Sequence, residues 1–82
     1  MFTVYVLYSQ NYNKIYIGFT SDIGQRMLSH NELGKKGFTV KFRPWKLIYQ
    51  EDYLLKADAM KREKELKTEQ GRNFVWSLIK AM

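Results

Sequence analysis

The chain opens with Phe2-Thr3-Val4-Tyr5-Val6-Leu7-Tyr8-Ser9 and, after the polar residues 10–14, continues Ile15-Tyr16-Ile17-Gly18-Phe19. β-Branched and aromatic residues crowd both runs, and Asn11-Tyr12-Asn13-Lys14 between them has turn chemistry, so the segment predicts a β-hairpin. Tyr5 and Tyr16 share a face of that hairpin only for one parity of strand pairing, and the sequence leaves the parity open.

Working outward, Thr20-Ser21-Asp22 predicts a helix N-cap. Ile23 and Met27 then stand four apart in a helix reaching about Asn31. At ~100° per residue Arg26 and His30 fall on the same side as these apolar residues, an unusual place for an arginine. Residues 34–46 carry turn chemistry at Gly34 and Gly37 and several basic residues without an acid. Trp45-Lys46-Leu47-Ile48-Tyr49-Gln50, following Pro44, predicts a third strand. Residues 56–70 are strongly helix-favouring with Gly71 as a stop. A last helix over residues 73–81 brings Phe74, Trp76, Leu78 and Ile79. The order β-β-α-β-α-α predicts an α+β fold: a small three-stranded antiparallel sheet flanked by helices.

The 82 residues make one domain, 1–82. The sequence has no cysteine, which excludes disulfides and thiolate zinc sites. Five Phe, six Tyr and two Trp instead supply the bulk of a thin core. A signal-peptide pattern is absent and no apolar run nears the ~20 residues that cross a bilayer, so a cytoplasmic protein without membrane attachment is expected. Fourteen Lys and Arg against eight acids give a net charge of +6, which points to a polyanionic partner, nucleic acid first among them.

Glu63 interrupts the apolar arc Ala57, Ala59, Met60 and Leu66 of the 56–70 helix. A carboxylate so placed is paired, reaches solvent at the edge of the stripe, or holds a metal. Pairing with Arg26 is the plain alternative to a metal. One carboxylate suffices for Mg²⁺, which keeps most of its waters and completes its shell with substrate phosphate oxygens. Tyr5 and Tyr16 are either ordinary strand aromatics or phenols that act on water. As general bases they need cations to depress a pKa of ~10. Arg26 and the metal are the expected cations, with His30 as a proton acceptor. Gly18 either kinks the sheet or lets a phosphate or a neighbouring helix approach the backbone closely. Lys35, Lys36, Lys41 and Arg43 alternate with Phe38 and Phe42, which suits phosphate contact plus base stacking, or a solvated loop anchored by its two rings.

Together, Val4-Tyr5-Val6, Tyr16-Ile17-Gly18, Arg26, His30-Asn31 and the run from Ala59 to Lys67 resemble the GIY-YIG nuclease superfamily, and its small stand-alone bacterial members in particular. The resemblance spans about residues 3–80. It implies divalent-metal-dependent (Mg²⁺ or Mn²⁺) cleavage of one DNA strand. By position Tyr5 and Tyr16 match the two motif tyrosines, Arg26 the phosphate-binding arginine, His30 the helix histidine and Glu63 the metal-binding glutamate. Two departures stand out: Phe19 follows Gly18 where efficient family nucleases often carry lysine, and the one-domain reading carries no expectation of the appended DNA-binding domain that many family nucleases have.

The leading expectation is therefore an endonuclease acting on branched, nicked or single-stranded DNA, in repair or recombination. The alternative is a non-catalytic nucleic-acid-binding module with a vestigial site. A third reading is an adaptor docking on a repair partner.

Overall fold

The computed structural model describes residues 1–34 and 37–82. Strand β1 (Phe2–Ser9) and strand β2 (Lys14–Thr20) form the hairpin. Helix α1 (Ile23–Leu28) follows, started by Asp22, whose carboxylate accepts the Gln25 amide at 3.0 Å. The chain then loosens into a π-helical turn, Ser29–Leu33, and a short helix α2, Phe38–Lys41. Strand β3 (Lys46–Tyr53), helix α3 (Lys56–Leu66) and helix α4 (Glu69–Lys80) complete the domain.

All strands are antiparallel in the order β2-β1-β3, so β1 is central and β2 is an edge. Alternation sends Val4 and Val6 to one face, where Ile17, Ala59, Leu66 and Val75 bury them under α3 and α4. Tyr5 and Leu7 go to the other face, against Trp45 and the partly buried Tyr16, Ile23 and Met27. Both faces of β1 are thus covered, which is why its sequence is almost continuously apolar. Burying each of Val4, Val6 and Leu7 contributes about 1.5–3 kcal/mol relative to exposure.

The register settles the parity question. Tyr5 pairs with Gly18 and Leu7 with Tyr16, so both tyrosines lie on the same face and stack, ring centroids 6.3 Å apart and planes inclined by 26°.

Several boundaries differ from expectation. Helix α3 ends at Leu66 rather than near residue 70, because Thr68 starts a new helix by accepting the Gly71 amide on its hydroxyl at 3.2 Å. Gly71 is therefore not a stop but a point of close approach. A β-carbon there would lie 2.2 Å from the Glu65 carbonyl oxygen and 2.4 Å from Leu66 Cα. Strand β3 runs on to Tyr53, and the segment expected to be a loop contains α2.

The β3 extension has a structural purpose. Tyr49, Glu51 and Tyr53 alternate onto the face under α3, and both phenols donate to the Glu51 carboxylate. Arg62 of α3 donates its Nε to the same group at 3.0 and 3.2 Å. Burial alone would raise the Glu51 pKa, but the hydrogen bonds from Tyr49, Tyr53 and Arg62 outweigh it and hold the carboxyl below its ordinary value. This clamp fixes α3 against the sheet one residue before Glu63. Among the described residues no helix is long and apolar enough to cross a membrane.

Candidate active site

A cleft of about 400 Å³ lies along edge strand β2, and Tyr5, Tyr16, Gly18, Arg26 and Glu63 all line it. They arrive from β1, β2, α1 and α3. Lys56, Lys67, Thr20 and Ser21 line it as well, and the sequence reading did not single these out. For Lys67 a signal existed: it follows Glu63 by one helical turn, the spacing of an i,i+4 ion pair.

Gly18 shapes the tyrosine wall. A β-carbon on it would sit 2.8 Å from the Tyr5 hydroxyl oxygen, 3.0 Å from Tyr5 Cζ and 3.2 Å from Tyr16 Cε1. The missing side chain is the space across which the Tyr5 ring lies, a role distinct from the kink or phosphate approach expected of it.

His30 stands behind this wall. It is buried, with Nε2 3.0 Å from the Tyr5 hydroxyl and its ring centroid 4.8 Å from that of Tyr16. The π-helical turn that carries it is braced by Arg43, which donates to the carbonyls of His30, Ser29 and Gly34. Arg43 was expected on a nucleic-acid-binding surface. It instead donates to three carbonyls of the irregular turn, of which that of Ser29 also accepts the Gly34 amide at 2.8 Å. Asn31 ties the same turn to Trp45, donating to its carbonyl at 3.0 Å and accepting its amide at 2.7 Å. Lys41 is exposed, its ammonium 5.5 Å from the Phe42 ring centroid, and lies outside the cleft lining. Lys35 and Lys36 lie outside the described residues.

Electrostatics and burial act on Tyr5 and His30. Burial pushes the Tyr5 pKa well above its ordinary value, and Tyr16 adds to this; Arg26 opposes and Glu63 reinforces it. Arg26 alone does not depress Tyr5, because desolvation outweighs it. His30 is shifted down by burial, then by Arg26 and Arg43, so it is neutral near pH 7. Two neutral groups, Tyr5 and His30, therefore share one hydrogen bond. Tyr16 is the less buried phenol at the cleft wall.

Arg26 is exposed, at the mouth of the cleft rather than paired with Glu63. Glu63 keeps 17% of its side chain exposed and pairs with Lys67, Nζ to Oε1 3.1 Å. No group of three or more His, Asp, Glu or Cys side chains gathers among the described residues. The available donor set is one carboxylate beside phenols, open to solvent. It fits a hard cation that retains most of its waters, and does not fit a fully protein-ligated metal.

The GIY-YIG catalytic domain family matches residues 1–75. The chain therefore belongs to the GIY-YIG domain family. A UPF0213 protein of Staphylococcus epidermidis is 40% identical over 58 residues, 71% of each chain. Another, of Staphylococcus haemolyticus, is 39% identical over 56 residues, 68% of each chain. The solution NMR structure of a UPF0213 protein from Bacillus halodurans superposes with a TM-score of 0.56 at 25% identity, covering 95% of this chain and 85% of that one.

Proposed function

We propose that this domain is a metal-dependent endonuclease that hydrolyses phosphodiester bonds of DNA, with branched, nicked or single-stranded forms as substrates. The observation that supports it best is the convergence of Tyr5, Tyr16, Arg26 and Glu63, from four elements, on one open cleft. Arg26 binds the scissile phosphate through its guanidinium, whose planar fork matches phosphate oxygens. Tyr16, the less buried phenol of the cleft wall, orients the attacking water through its hydroxyl. Tyr5 stays protonated, bonded to His30, and holds the Tyr16 ring in place by stacking. Glu63 holds Mg²⁺ or Mn²⁺, which when bound neutralises phosphate charge and stabilises the leaving oxygen.

The test is incubation of the protein with branched DNA and Mg²⁺, following strand cleavage on denaturing gels. Cleavage by the wild type and its loss in Glu63→Ala and Arg26→Ala is the expected result. Cleavage that persists in both variants would rule out the assignment. Binding without cleavage by the wild type would identify a non-catalytic nucleic-acid module instead.

A further inference from the structure

The cleft does not end at Glu63. At the Thr20 end of β2 it shares Thr20, Ser21 and Arg26 with a hollow beside α1. At the other end it shares Tyr16, Ile17 and Lys67 with a groove of about 360 Å³ that Ile15 and Arg72 complete. The shared residues make one trough beside the edge strand, from α1 to the corner between α3 and α4. The Ile15 end has an apolar floor, two cations and no acid in its lining.

We infer that Lys67 and Arg72 form a second phosphate-binding subsite, for a phosphate of the same nucleic-acid strand other than the one facing Arg26. This rests on the nuclease reading above. Ile15 to Thr20 spans about 16 Å at ~3.3 Å per residue. A DNA strand carries one phosphate per nucleotide, so one lying along a trough of this length presents more than one. Arg26 and Lys56 supply cations in the cleft itself, and the far end adds Lys67 and Arg72.

Lys67 also couples this subsite to Glu63. Its ammonium lies against the Glu63 carboxylate, yet 53% of its side chain is exposed, leaving the long stem free to turn toward the groove. While the pair is formed, the lysine charge is offset. Once the Glu63 charge is removed or engaged elsewhere, Lys67 becomes available to phosphate.

The test is fluorescence anisotropy of a fluorescein-labelled oligothymidylate in EDTA across a salt series, so that no catalysis intervenes. Lys67→Ala and Arg72→Ala are each expected to weaken binding several-fold and to flatten the logarithmic salt slope by about 0.7. Glu63→Gln is expected to tighten binding several-fold, and adding Lys67→Ala should abolish that gain. Lys80→Ala, an exposed position at the end of α4, gives the level set by a surface cation outside the trough. Effects of Lys67→Ala and Arg72→Ala no larger than that of Lys80→Ala, or a Glu63→Gln gain that survives loss of Lys67, would overturn the subsite and leave the nuclease reading standing. Absence of any salt-sensitive binding by the wild type would overturn both.

Discussion

Gly18 lies directly across the sheet from Tyr5, and a single methyl added there would meet the tyrosine hydroxyl oxygen at 2.8 Å. The two stacked phenols of the cleft wall are therefore held where they are by an empty position on the neighbouring strand. Gly18→Ala must push the Tyr5 ring outward or part the strands. Overpacking of this kind costs about 1–3 kcal/mol. The variant should fold with a lowered melting temperature and lose DNA cleavage at least ~10-fold, since displacing catalytic groups by a fraction of an ångström is disproportionately costly. Thermal melts alongside cleavage rates check both halves.

The two tyrosines should respond differently to loss of their hydroxyls. Tyr5→Phe leaves buried His30 Nε2 without its 3.0 Å partner, a loss of about 1–3 kcal/mol in stability. Tyr16→Phe removes a group at the cleft wall. Its stability should stay within about 0.5 kcal/mol of wild type, while cleavage falls by roughly 10²–10⁴-fold. Denaturant titrations and single-turnover rates on both variants would reveal whether this division of labour holds; equal stability losses would contradict it.

Glu51 should make the fold sensitive to acid. Its folded-state pKa lies below the ordinary value of 4.5, so ionised Glu51 contributes stability above that value. The contribution is lost as pH falls through the lowered folded pKa. Glu51→Gln should therefore be less stable than wild type at pH 7, by about 1–3 kcal/mol. The gap should narrow progressively below about pH 4.5. Melting temperatures measured from pH 8 down to pH 3 give the comparison, and a constant gap would show that the carboxylate charge is not what Arg62, Tyr49 and Tyr53 stabilise.

Gly71→Ala places a β-carbon 2.2 Å from the Glu65 carbonyl oxygen, a backbone atom that cannot swing aside. Helix α4 must move away from the end of α3, loosening the packing of Val75 and Leu66 in the core. A loss of at least ~3 kcal/mol is expected, equivalent to a drop of roughly 12 °C or more in melting temperature for a domain of this size. A stop signal in the ordinary sense would tolerate alanine far better.

The hairpin and the order of elements were legible because each rests on local chemistry: β-branched runs, an N-cap and a helical stripe. The grouping of Tyr5, Tyr16, Arg26 and Glu63 was legible only through the family resemblance, since residues from four elements meet by tertiary packing and the strand parity was open. What escaped were features that depend on a neighbour. Gly71 has the composition of a helix stop, and only the approach of Leu66 shows why a side chain is barred. Arg43 sits in a basic run, but its guanidinium meets the carbonyls of a π-helical turn that periodicity does not foresee. Glu51 was missed because the third strand was ended at Gln50, before the alternation of Tyr49, Glu51 and Tyr53 could be seen. The rise of the Tyr5 pKa follows from burial on both faces of β1, which outweighs the nearby arginine that sequence does show.

The enclosed position of β1 has a dynamic consequence. Amides of Tyr5 and its strand neighbours exchange with solvent only when much of the domain opens, whereas the six-residue helix bearing Arg26 holds no fully buried side chain. The helix that carries Arg26 can thus breathe on its own while the wall of stacked phenols stays shut. Under the nuclease reading proposed above, accommodation of differently shaped DNA falls to the rim of the cleft rather than to its floor.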